Sequence, residues 1–230
     1  MCITKILSDS WNFMKKNPAV IIPGMAAGLI HSLILILITP LIGNLYRSMA
    51  GHPINFLSTL NISSIVFLEG AFFLTLLSSF YVSLWVISIV ANRKKSLAYT
   101  ATLSLKKLPI VLVATIIFFV LVTGGFMLLV IPGIYLSLRL IFFTQAIILE
   151  NKDVFSSLQR SWTLTEGKVL NTFIFLLSIL LILFISSVPD ILVDNTVFNS
   201  IYSFVVMSLF LPLFYIALTI YYNKLRKKIF

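Results

Sequence analysis

Little in this chain can ionise. Only 10% of its 230 residues are charged and 60% are hydrophobic, whereas a soluble domain carries about 25% charged residues. So little polar surface cannot cover so large an apolar core, and the expected solvent is lipid. The single cysteine, Cys2, excludes an internal disulfide and leaves the redox compartment open. Two histidines, His31 and His52, form no pair with metal-ligand spacing. The seven carboxylates are spread thinly and make no obvious acid/base pair. A glycine-rich phosphate loop is absent, so the chain encodes no ATP motor. These absences lead us to expect no enzyme, no cofactor and no metal site. A cleavable signal peptide is not expected either, because the first apolar run starts late, near Ala19, and is long enough to span.

Apolar runs, by contrast, are plentiful. A bilayer-spanning helix needs about 20 apolar residues. Six runs qualify: 19–43, 64–91, 108–130, 133–149, 169–188 and 197–222. Pro132-Gly133 is expected to divide the third from the fourth, because proline cannot donate to the helix ladder and glycine permits a tight reversal. The fourth run is short, which implies little tilt or a shift in depth. Pro212 is expected to kink the sixth. The predicted fold is an all-α integral membrane protein. Its six transmembrane helices form three hairpins, each preceded by a short cytoplasmic amphipathic helix, in one membrane domain over 1–230.

The net charge of +10 has a place in this threading. Lys5, Lys15 and Lys16 precede the first span, and Arg93, Lys94, Lys95, Lys106 and Lys107 lie between the second and third. Lys152, Arg160 and Lys168 follow the fourth, and Lys224, Arg226, Lys227 and Lys228 follow the sixth. The opposite side has only Arg47. Basic loops stay inside, so both termini are expected in the cytoplasm, and the lack of a processing signal favours a prokaryotic plasma membrane. Nucleic acid is not needed to explain the charge. Membrane lipids are the expected partners, with anionic headgroups drawn to these residues by about 1 kcal/mol each. The oligomeric state is open.

The segments leading into the odd-numbered spans are built alike: 3–23, 95–115 and 153–173. Lys-Lys-x-Pro occurs at 15–18 and at 106–109, and Ser-Trp at 10–11 and at 161–162. Three repeat-like units follow, 3–91, 95–149 and 153–222. Such repeats are common in transporters, and they also arise by duplication of a stable hairpin. In the first leader, Ile3, Ile6, Leu7, Ser10, Trp11, Phe13 and Met14 share one helical face, which suits a helix in the headgroup plane. Asp153 is the expected N-cap of the third leader. These leaders either anchor the bundle or form a collar that meets lipid or a soluble protein partner.

Arg139 interrupts an apolar run, and a charge facing lipid at depth costs about 3 kcal/mol or more. It is expected to face the bundle interior with a partner. Glu150 is eleven residues further on, about 16 Å along a helix and too far to pair. Glu69 matches Arg139 in depth, each about six residues from the outer end of its span, so an Arg139–Glu69 contact or shared wet pocket is expected. Glu150 sits at the cytoplasmic boundary, where Arg160 or Lys152 can reach it and dock the 153–166 helix. The Arg139–Glu69 pair reads either as a device that fixes helix order or as a site where the planar arginine fork takes an anionic headgroup or small anion. His31 reads either as a neutral imidazole bonded inside the bundle or as a proton relay. His52 is expected to be solvated in the outer loop, where Asn61-Ile62-Ser63 also fits a glycosylation sequon.

The string IPGIYLSLRLIFFTQAIILENKDVFSSLQRSWTLTEGK, 131–168, resembles the signature of the membrane domain attached to some glycerophosphodiester phosphodiesterases and of similar stand-alone membrane proteins. The matching elements are Pro132-Gly133, Arg139, Glu150, Arg160-Ser161-Trp162, Leu164-Thr165 and Gly167, and SWNFMKKNP looks like the family's start. The resemblance implies a six-helix membrane domain with cytoplasmic amphipathic helices. It does not imply hydrolysis, because in the fused proteins catalysis belongs to a separate soluble barrel. The candidate binding residues are therefore Arg139, Glu69, Glu150, Arg160, Ser161 and Trp162. The expected function is non-catalytic: binding or transport of a lipid-related or small amphiphilic or anionic molecule. The alternative is a membrane scaffold that recruits a soluble partner through its cytoplasmic helices.

Overall fold

A computed structural model describes residues 3–51, 62–193 and 195–227. Cys2, His52, Asn61 and Lys228, with the side chains of Arg47 and Ser63, lie outside the described residues. Among the described residues the chain is all-α. In order come α1 (Ile3–Lys16), a 3-10 turn (Pro18–Val20), α2 (Ile21–Gly51), α3 (Ile62–Ala91), α4 (Leu97–Leu128) and α5 (Val130–Leu140). Then follow α6 (Phe143–Glu150), α7 (Val154–Thr165), α8 (Val169–Leu192) and α9 (Thr196–Arg226). Six segments are long and apolar enough to cross a membrane: Pro18–Pro40, Ile65–Ala91, Leu97–Leu128, Val130–Glu150, Val169–Ser186 and Val197–Arg226. Their outer faces carry exposed Leu29, Phe72, Phe73, Phe119, Leu180 and Phe184. Such a surface suits lipid and would aggregate in water.

Two leaders are separate helices. On α1, Ile6, Ser10, Phe13 and Met14 are buried while Lys5, Asn12, Lys15 and Lys16 face out. Asn17 ends the helix by donating from Nδ2 to the Phe13 carbonyl at 3.0 Å. On α7 the Asp153 carboxylate accepts from the Ser156 amide at 3.3 Å, which supplies the N-cap. Gly167, at φ 65°, turns the chain out of α7 through the left-handed region. The second leader differs from expectation. It is not a separate helix, because α4 runs unbroken from Leu97 through Pro109 to Leu128. Proline removes one ladder bond there, a loss that helices packed in a bundle can absorb.

The division between the third and fourth spans also falls elsewhere. Leu129, with extended backbone, joins α4 to α5. Pro132 lies in the first turn of α5, where its missing N–H has no partner to lose. Gly133 serves close packing, since a Cβ there would overlap the ring of Phe126. The fourth span itself is broken: α5 stops at Leu140, α6 starts at Phe143, and Ile141-Phe142 form a turn between them. This broken span is the most enclosed of the six, and Val169–Ser186 is the least.

Close helix contact is set by Gly24 and Gly28 on α2. A Cβ on Gly24 would lie 2.5 Å from the Ser208 carbonyl oxygen and 2.6 Å from Pro212. On Gly28 it would lie 2.9 Å from the Phe204 carbonyl oxygen. Two glycines four apart thus let α2 and α9 approach backbone to backbone. Pro212, inside α9, rests on Gly24. One core cluster joins Ile6 of α1 to Phe142, Leu164, Phe175, Tyr221 and Tyr222. A second joins Phe13 and Met14 to Val86 of α3 and Ile216 of α9. A third packs Ile87, Ala114, Phe143, Ile147 and Leu158 together. The leaders α1 and α7 are therefore parts of the core.

Candidate functional site

The break in the fourth span leaves backbone groups without helical partners, and α7 supplies them. Ser161 donates from Oγ to the Arg139 carbonyl at 2.8 Å and accepts from the Phe142 amide at 3.0 Å. Thr165 donates to the same carbonyl at 3.2 Å. Unpaired backbone is expensive away from water, so these hydroxyls make the turn at 141–142 tenable.

The residues flanking Ser161 grip the same span at two other points. Arg160 donates from Nε to Oε2 of Glu150 at 2.9 Å and from Nη2 to Oε1 at 3.2 Å. Tyr222 of α9 donates to the same Oε1 at 2.6 Å. Burial pulls the Arg160 pKa down, but the bond and charge of Glu150 more than offset it, and the guanidinium titrates above its ordinary range. Trp162 offers its ring to Arg139, whose guanidinium carbon lies 4.2 Å from the ring centroid. Tyr135, one turn earlier on α5, is 5.7 Å from that carbon and meets Trp162 edge to face at 5.9 Å. Three consecutive residues of α7 thus hold the end, the break and the cation of one broken span.

Arg139 is buried, 4% exposed. It makes no ion pair and no side-chain hydrogen bond among the described residues, and its Nε is buried without an acceptor. The expected contact with Glu69 is not made. Glu69 is on the exposed face of α3. Matched depth on two spans does not fix how each helix is rotated, and α3 turns this carboxylate outward. Of the six candidate residues, five gather around the fourth span and Glu69 stands apart.

A separate cavity of ≈ 400 Å³ opens between α2, α8 and α9. Its walls are mostly apolar, with Met207, Phe210 and Phe214 among them, and its polar groups are His31, Ser186, Ser203 and Tyr215. Beside it the Tyr202 hydroxyl donates to the Ser186 carbonyl at 2.7 Å. The expected wet pocket shared by Arg139 and Glu69 is not formed among the described residues, and the cavity with the polar lining lies at His31. The histidine stood out in the sequence. The two serines did not, because small hydroxyls are common in membrane helices and usually bond their own backbone. Among the described residues no group of three histidine, cysteine or carboxylate side chains is placed to hold a metal.

The family described as Domain of unknown function (DUF7847) matches residues 24–225, which takes in α3 to α8 whole and most of α2 and α9 but not α1. No curated protein and no solved structure matches the chain.

Proposed function

The chain belongs to that family of unknown function, so no activity comes to it by descent, and we propose from its geometry a non-catalytic membrane protein that binds or moves a small amphiphilic molecule. The observation that carries this reading is the cavity of ≈ 400 Å³ between α2, α8 and α9. Its size falls within the range of about 300–1,000 Å³ typical of ligand sites, and a few polar groups on apolar walls are the usual lining of such sites. The apolar body of a ligand fits against Met207, Phe210 and Phe214, and its polar end against His31, Ser203 and Tyr215. We further propose that both termini are cytoplasmic, on the strength of the one-sided basic residues, and that the membrane is a prokaryotic plasma membrane, on the strength of the resemblance over 131–168. The likeness of 131–168 to the phosphodiesterase-associated membrane domain, and the three-unit repeat, belong to the same proposal.

Native mass spectrometry of gently purified protein tests the cavity. The wild type is expected to retain an amphiphile smaller than a phospholipid that Ser203→Phe, which fills the space, does not. If the folded variant carries the same species, the reading is wrong. The scaffold alternative has one observation in its favour, the 72% exposure of Phe155 at the start of α7. A soluble partner captured by wild type and lost in Phe155→Ser would promote it.

A further inference from the structure

Arg139 is a buried cation for which the described residues supply no counter-charge. Its residue is 4% exposed, and Nε has no acceptor. Tyr135 and Trp162 meet it through their π faces, at 5.7 and 4.2 Å, which stabilises the charge but gives its N–H donors nothing to bond. Charges within spans are otherwise set against partner charges or backbone carbonyls. The carboxylate expected to serve, Glu69, faces outward.

Tyr135 also belongs to the wall of an open apolar groove between α5 and α8. One part, ≈ 470 Å³, runs past Ile134, Leu138, Val169 and Phe173. A second, ≈ 310 Å³, shares Ile134, Leu138 and Phe173 and extends to Leu183. From Val169 to Leu183 is about 21 Å of helix, more than the roughly 15 Å half-thickness of a bilayer's hydrocarbon core. Lys168 stands directly before Val169, three residues after the Thr165 that bonds the Arg139 carbonyl. A cation lacking an acceptor, beside an apolar channel of this length, matches one class of molecule with both parts.

We propose that this is a phospholipid site: the phosphodiester accepts hydrogen bonds from Arg139, and an acyl chain lies in the α5–α8 groove. Arginine suits the role because its fork can donate two parallel bonds to phosphate. The groove meets the His31 cavity at Leu183 and Phe214, but Arg139 and Ile134, on which the site depends, do not line that cavity.

The test uses the full chain reconstituted with phosphatidylglycerol, then native mass spectrometry under activation that strips loosely held lipid. The wild type is expected to keep one phospholipid per chain. Arg139→Gln, which removes the cation, and Ile134→Trp, which fills the groove and leaves the cation, are each expected to lower its retention about tenfold. Ser203→Phe is expected to keep it. Wild-type retention by either folded variant would overturn the site, and Ile134→Trp decides alone if Arg139→Gln does not fold. Inorganic phosphate is the competing probe. If it displaces the lipid from wild type, the ligand is a small anion and the lipid assignment is wrong.

Discussion

Arg139 and Trp162 come from different helices, and the guanidinium carbon of one lies 4.2 Å from the ring centroid of the other. No acid stands in this pair. A desolvated cation–π contact contributes about 2 kcal/mol. Trp162→Leu is expected to lower stability in detergent by about that amount, and Trp162→Phe by less. Chemical unfolding checks the order; equal loss in both variants would mean that ring volume matters and the cation does not.

Ser161 serves two backbone groups at once. Ser161→Ala leaves the Phe142 amide buried without a partner, which costs about 1–3 kcal/mol. Thr165→Val costs less, since the Arg139 carbonyl keeps Ser161. Amide hydrogen exchange is expected to accelerate at Phe142 in the first variant and not in the second.

Glu150 and Arg160 form a two-bond pair in a half-covered setting, with side chains 14% and 19% exposed. Glu150→Gln and Arg160→Gln are each expected to cost about 1–3 kcal/mol, and the double variant less than their sum. Additive losses would show that the two side chains do not act on each other.

Gly24 and Gly70 give opposite expectations for one substitution. A Cβ at Gly24 meets backbone at 2.5 Å, and one at Gly70 meets nothing within 4 Å. Gly24→Ala is expected to destabilise by about 1–3 kcal/mol through overpacking. Gly70→Ala is expected to be neutral or stabilising by up to about 1 kcal/mol. Melting temperatures of the two variants decide it.

Asp9 ties α1 to α9 by accepting from Lys224 Nζ at 2.8 Å. That bond, with the charges of Lys224 and Lys5, holds the carboxyl below its ordinary value of 3.8 despite some desolvation. A depressed folded pKa means that the contribution is present above the ordinary value and is lost as pH falls through the folded one. Fluorescence from Trp11, which lies under Lys15, is therefore expected to stay constant from neutral pH to about 4 and change below it. In Asp9→Asn that step should vanish; an identical step would assign it to another group.

Much of this arrangement could be read in one dimension. The spans follow from long apolar runs, and the Glu150–Arg160 pairing from two opposite charges ten residues apart across a short turn. The Asp153 cap is equally local. The break at 141–142 left no such sign. It falls in an apolar stretch without proline or glycine, and its compensation comes from hydroxyls on another helix. Pro132-Gly133 misled for a related reason. Both residues are frequent in turns, yet here one begins a helix and the other admits a neighbouring ring. The Arg139–Glu69 expectation failed on rotation about the helix axis, which depth alone does not carry. Gly24-x-x-x-Gly28 is a close-packing signal in the sequence, but the helix it meets is fixed only by the fold.

The hydroxyls that complete the fourth span stand 22 and 26 residues downstream of the carbonyl they serve. A chain made from its N-terminus therefore delivers Arg139 to the bilayer before it delivers the means to seat it. Until Ser161 and Thr165 have left the ribosome, the segment around 139–142 must stay straight, stay wet or be held by the insertion machinery. The order of synthesis thus bears on assembly at this point, and a chain truncated between residues 142 and 161 would carry a span without the hydroxyls that complete it.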